Sequence, residues 1–152
     1  MNGRILSLDF DGVLHPFGGA GQRPFFRKME LLYPLLEQYP EVRVTVHSSW
    51  REIHDDEELR DFLFSDRPAL ENRFIGATPR DVMSRWESIV AWAERNPEAG
   101  PYCLLDDEPR MFPHHIARNE DPRFRFIACE TTYGLYEGSP ALTQLRDWLA
   151  QP

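Results

Sequence analysis

Lysine is nearly missing from this chain: of 17 basic residues only Lys28 is not an arginine. Against 25 acids they leave a formal net charge of −8. A surface of that sign argues against a broad nucleic-acid-binding face, which needs a basic stripe to displace counterions from a phosphate backbone, and leaves room only for local arginine clusters. Cysteine is scarce as well. Cys103 and Cys129 each sit in an apolar run, where a thiol packs as a small hydrophobe, so neither a disulfide framework nor a thiolate metal site is expected. No apolar run approaches the roughly 18 residues of a membrane span. The opening "MNGRILSLDFDG" is broken at Asp9 before a signal-peptide core is complete. The expectation is a soluble cytoplasmic protein with no membrane partner.

What is present is ordinary globular material. With 41% apolar and 28% charged residues, 152 residues suffice for one hydrophobic core and a single domain over 1–152. Residues 3–9 form an apolar run that predicts a buried strand, and "GVLHPFGGAGQRP" after it has too many turn formers for a helix. "FFRKMELLYPLLEQ" (25–38) has helical spacing that Pro34 should bend or split. "VRVTVHS" (42–48) predicts a strand covered on both faces, and "DDEELRDFLF" a helix with acids in its first turn. A short strand is expected over 73–77. "TPRDVMSRWESIVAWAERNP" then predicts an amphipathic helix with Thr78 as N-cap and Pro79 at its first position. "YCLLDDE" (102–108) and "FRFIACE" (124–130) predict two more strands, and "SPALTQLRDWLA" a closing helix capped by Ser139. The four tryptophans read as core. Strands alternating with helices specify an α/β protein: a three-layer α/β/α, Rossmann-like fold with a mostly parallel central sheet.

In such sheets the ligand site lies beyond the carboxyl ends of the strands. Three predicted strands end in polar residues: Asp9 and Asp11, Ser48 and Ser49, Asp106 and Asp107. Four carboxylates at one rim repel one another unless a cation compensates, and an all-oxygen set suits Mg²⁺. Asp9 is the candidate nucleophile. Asp11 is the candidate proton donor to a leaving oxygen, and Gly12 lets the backbone pass close to a phosphate and offer it N–H donors. Ser48 is expected to hydrogen-bond a phosphoryl oxygen while Ser49 caps a helix beginning near Trp50. A further cation for the transferring group is expected from Arg85, with Arg80 and Arg51 as rivals. Arg85 has a plainer reading as the partner of Asp81 on a solvated helix face. The "HDDEE" run (54–58) reads as helix surface, His47 as a packed strand residue, and His114 with His115 as no metal site.

These residues together resemble the haloacid dehalogenase-like (HAD) superfamily of phosphotransferases. "LDFDGVLHP" looks like its first motif, "VTVHSSWR" its second, an arginine on the 80–96 helix its third and "LLDDE" its fourth. The pairing of "LDFDGVLHP" with "SSWR" is most similar to the HAD domain of Swiss Army Knife RNA repair proteins. The resemblance implies a phosphatase in which Asp9 is phosphorylated and Asp11 is the general acid/base. It also implies that Mg²⁺ is held by Asp9, the Asp11 backbone carbonyl, Asp106 and Asp107. The connections leave no room for a large cap domain, and capless relatives tend toward large substrates. The expected substrate is a phosphorylated small molecule or a terminal phosphate of a nucleic acid. The alternatives are a receiver-like signalling domain or a degenerate phosphate-binding module. "FRFIACE" lacks the lysine a receiver carries on its last strand.

Overall fold

The computed structural model describes residues 3–15 and 27–152. The glycine-rich connection from Pro16 onward, and the predicted helix start at Phe25, lie outside the described residues. Five strands, β1 (Gly3–Leu8), β2 (Arg43–Val46), β3 (Phe74–Ala77), β4 (Ala99–Asp106) and β5 (Phe124–Ala128), form one parallel sheet in the order β3-β2-β1-β4-β5. The helices are α1 (Met29–Gln38), α2 (Asp56–Phe64), α3 (Arg85–Arg95), the single turn α4 (His114–Ala117) and α5 (Pro140–Ala150).

Side-chain alternation splits the sheet into two apolar faces. Leu6, Leu8, Val44, Val46, Cys103, Leu105 and Ile127 pack with residues of α1, α2 and α5. Ile5, Tyr102, Leu104, Phe124 and Phe126 pack on the other side with α3 and α4. The architecture is therefore three-layered, α/β/α and Rossmann-like, with no large cap domain among the described residues. Register then sets the site. Leu8 lies opposite both Val46 and Leu105, so the three central strands end level. The chain runs outward from β1 through β2 to β3 and returns to β4, which makes the β1–β4 boundary the switch point where a crevice opens.

Two expectations need correction. Pro34 neither splits nor ends α1, which is continuous through it. Proline costs a helix the hydrogen bond to the carbonyl four residues back, and that carbonyl belongs to the exposed Glu30, where water can serve it. The third helix begins at Arg85, not near Thr78. Ser84 is its N-cap, accepting the Glu87 N–H at 3.3 Å. Thr78 is buried and spends its N–H (2.9 Å) and hydroxyl (3.3 Å) on the Val46 carbonyl at the end of β2. At α2 the acidic run has a specific use: Asp55 accepts from Glu58 N–H (2.8 Å) while the Glu58 carboxylate accepts from Asp55 N–H (3.2 Å), a reciprocal capping box.

With Ser84 as the cap, Ser84→Ala costs about 1 kcal/mol of stability. Urea unfolding measures this, and an unchanged midpoint would mean that α3 does not start there.

Candidate active site

Asp9 leaves β1 with its N–H on the Leu105 carbonyl (3.0 Å), and Asp106 is the last residue of β4. Asp107 follows. One carboxylate oxygen from each of the three lies within 4.8 Å of the others. The cluster is enclosed, Asp9 being 2%, Asp106 0% and Asp107 9% exposed. Burial, then the charge of Asp106, pushes the Asp9 pKa up to about 8, against a smaller lowering by Arg85. Burial alone would raise Asp106 too. Its hydrogen bond to His47 and its electrostatic interactions with His47 and Arg85 outweigh burial and hold it below the usual carboxylate range.

Arg85, at the first position of α3, reaches both acids. Its Nη1 donates to Asp106 Oδ1 (2.9 Å) and Oδ2 (3.0 Å) and to Asp9 Oδ2 (3.3 Å). Asp106 is fixed further by the Glu108 N–H (2.8 Å) and by His47 Nε2–H (2.8 Å), and His47 Nδ1 meets the Ser7 hydroxyl at 2.7 Å. A chain of hydrogen bonds thus crosses three strands from Ser7 through His47, Asp106 and Arg85 to Asp9. Asp107 Oδ2 has no hydrogen-bond partner among the described residues, although it is buried. One guanidinium beside three carboxylates, one of which has an unpaired oxygen, is an all-oxygen donor set with a deficit of positive charge. It fits a hard divalent cation.

Asp11 stands apart, its carboxyl not belonging to that cluster. His15 Nε2 lies 2.6 Å from Oδ1, and the Trp50 indole Nε1–H donates to Oδ2 at 3.1 Å. Gly12 between Asp11 and His15 has φ +78°, and a Cβ there would fall 2.3 Å from Asp107 Oδ2. Its N–H goes to the His15 carbonyl (2.8 Å). The close approach that glycine permits here is to Asp107.

Ser48 lies at the level rim beside Asp9 and accepts the Trp50 N–H on its hydroxyl oxygen at 3.2 Å. It, and not Ser49, caps the 3₁₀ turn Ser49–Glu52, because Ser48 carries the extended backbone (φ −57°, ψ 150°) from which the turn starts. The rival arginines are engaged elsewhere. Arg51, 1% exposed, donates to the carbonyls of His47, Ser48, Val82 and Met83. Arg80 donates to the carbonyls of Arg51 (2.7 Å) and His54 (2.9 Å) and pairs with Asp56. Asp81 pairs with Arg95, so the solvated-face reading of Arg85 is overturned. His114 and His115 are exposed on α4, and no candidate metal group among the described residues includes them.

Ser7, His47, His15 and Trp50 are the participants that the sequence reading missed. Parity offered a signal for Ser7: Ile5 and Ser7 share the face of β1 that Asp9 continues, so a polar residue inside a buried strand pointed toward the side of the Asp9 carboxyl. Trp50 looked like core but is only partly buried, its indole N–H spent on a carboxylate.

Compared with known proteins, residues 5–139 match the family model described as the HAD domain in Swiss Army Knife RNA repair proteins. No curated protein and no solved structure matches. No helix among the described residues is long and apolar enough to cross a membrane.

A carboxyl whose pKa is raised on folding favours the unfolded state once it ionises. Without metal, Asp9 therefore erodes stability as pH rises from the ordinary carboxylate range through about 8. Asp9→Asn should raise the metal-free melting temperature at pH 8 by several degrees, and by much less at pH 4.5; scanning calorimetry at the two pH values tests this. His47→Leu strips the buried Asp106 of a donor and should cost about 3 kcal/mol in urea unfolding.

Proposed function

This chain belongs to the family of HAD domains found in Swiss Army Knife RNA repair proteins, and from that premise we propose that it is a Mg²⁺-dependent phosphomonoester hydrolase acting through an aspartyl-phosphate. Membership supports a phosphatase-type hydrolase at the level of class. The observation that carries the finer reading is the buried Asp9, Asp106 and Asp107 cluster, with Asp107 Oδ2 unpaired and Arg85 bridging two of the acids. The whole chain is read as one such domain.

In this mechanism a carboxylate oxygen of Asp9 attacks phosphorus. The P–O bond to the leaving group breaks as Asp11 passes its proton to the departing oxygen. Asp11, now ionised, takes a proton from the water that attacks the aspartyl-phosphate, which releases inorganic phosphate and restores both carboxyl groups. Asp9, Asp106, Asp107 and the main-chain carbonyl of Asp11 would hold Mg²⁺, which when bound neutralises charge on the phosphoryl oxygens and favours ionised Asp9. Arg85, 20% exposed in its side chain, adds a guanidinium on the side of α3. The Ser48 hydroxyl oxygen accepts the Trp50 N–H, which leaves its proton for a phosphoryl oxygen.

The substrate class is a phosphomonoester, either a small molecule or the terminal phosphate of a nucleic acid. The family's description names RNA repair proteins, and among the described residues no large cap domain stands over the sheet rim. The net charge of −8 weighs against contact along a length of backbone, so only the terminus would be engaged. Two free, buried cysteines are in keeping with a cytoplasmic setting.

Hydrolysis of an aryl phosphate with Mg²⁺ is the decisive assay. Turnover should stop on chelation and fall by roughly 10³-fold or more in Asp9→Asn. Stable labelling of Asp9 without turnover would favour a receiver-like domain, and absence of both a binding module.

A further inference from the structure

Asp11 is held from two sides by groups of different chemistry, and neither belongs to the acidic cluster. The turn after β1 folds back so that Gly12 N–H reaches the His15 carbonyl (2.8 Å), which sets the His15 ring beside Asp11 Oδ1 at 2.6 Å. The turn after β2, capped by Ser48, presents the Trp50 indole N–H to Oδ2 at 3.1 Å. The two rings lie against each other, with centroids 5.5 Å apart, and Phe10 meets Trp50 edge-on at 5.4 Å. The clamp is thus built from both loops and packed from below. The Asp11 side chain remains 39% exposed, within reach of a substrate.

We propose that Trp50 and His15 are positioning residues that aim the Asp11 carboxyl at the leaving oxygen. An indole N–H is only ever a donor, so Trp50 grips one oxygen whether or not Asp11 carries a proton. Each carboxyl oxygen has a second lone pair, so a single ring nitrogen against each leaves room for the proton being passed. A freely rotating carboxyl samples many orientations, and misplacement of an acid by about 1 Å is enough to cost about 10²-fold. The clamp removes that freedom.

The inference rests on the phosphatase reading, and its test separates the two. Help from an acid matters when the leaving oxygen is a strong base and hardly at all when it is a weak one. The readout is kcat/KM with Mg²⁺, which stops at the step that expels the leaving group, for p-nitrophenyl phosphate and for an alkyl phosphate such as glycerol phosphate. Trp50→Phe keeps an aromatic ring, though a smaller one, and deletes the N–H. It should lose about 10-fold or more on the alkyl ester while changing less than about 3-fold on the nitrophenyl ester. His15→Leu should show the same bias and His15→Gln, which keeps a hydrogen-bonding side chain, should recover part of it. Equal losses on both esters, or losses that track a fall in melting temperature, would reduce the pair to a structural role and overturn the inference. A wild-type chain inactive on both esters overturns the phosphatase reading, and the positioning role with it.

Discussion

Like charges buried together without enough counter-charge are the constraint on which this structure turns. Asp9, Asp106 and Asp107 bring carboxylate oxygens within 4.8 Å of one another in a place almost closed to water, with the Arg85 guanidinium reaching only two of them. Such an arrangement is unfavourable on its own, as the pKa of Asp9, raised to about 8, records. It persists because the sheet over-determines it. A backbone hydrogen bond holds Asp9 to β4, and Asp106 is gripped by His47, Arg85 and the Glu108 N–H together. The apolar layers beneath, from Leu8, Val46 and Leu105 down to α1, α2 and α5, supply the stability against which this local cost is set.

The loops share that burden through arginine. Arg51 and Arg80 act as internal braces, joining the 3₁₀ turn after β2 to the segment before α3 by donating to backbone carbonyls. A planar guanidinium with five donors suits this task, because several orphan carbonyls converge where no regular structure pairs them. The near absence of lysine agrees with a molecule that uses its cations as structural forks as much as surface charges.

Much of the architecture was legible because it rests on local periodicity. "ILSLDF", "VRVTV" and "YCLLD" are near-continuous apolar runs that only a doubly covered sheet accommodates, and each ends in a polar group that level strand ends carry to one rim. The start of α3 was not legible. "TPRD" has the local marks of a helix N-terminus, but tertiary contacts hold it in a bend and turn outside the helix: Thr78 bonds back to β2, and Arg51 claims the carbonyls of Val82 and Met83. The choice among Arg51, Arg80 and Arg85 was hidden for the same reason, since all three sit in similar local sequence and differ only in which carbonyls or carboxylates surround them. Trp50 was hidden because indole burial is the common case, and its bond to Asp11 depends on how two separate loops meet.

The level ends of β1, β2 and β4 restrict how such a chain can vary in length. Side chains alternate from face to face along a strand, so one codon added or removed inside β4 would rotate Asp106 away from the α3 side and into the oily layer beneath α1 and α5. Insertions and deletions are therefore confined to the connections, and the five strands behave as fixed rulers between segments free to drift in size.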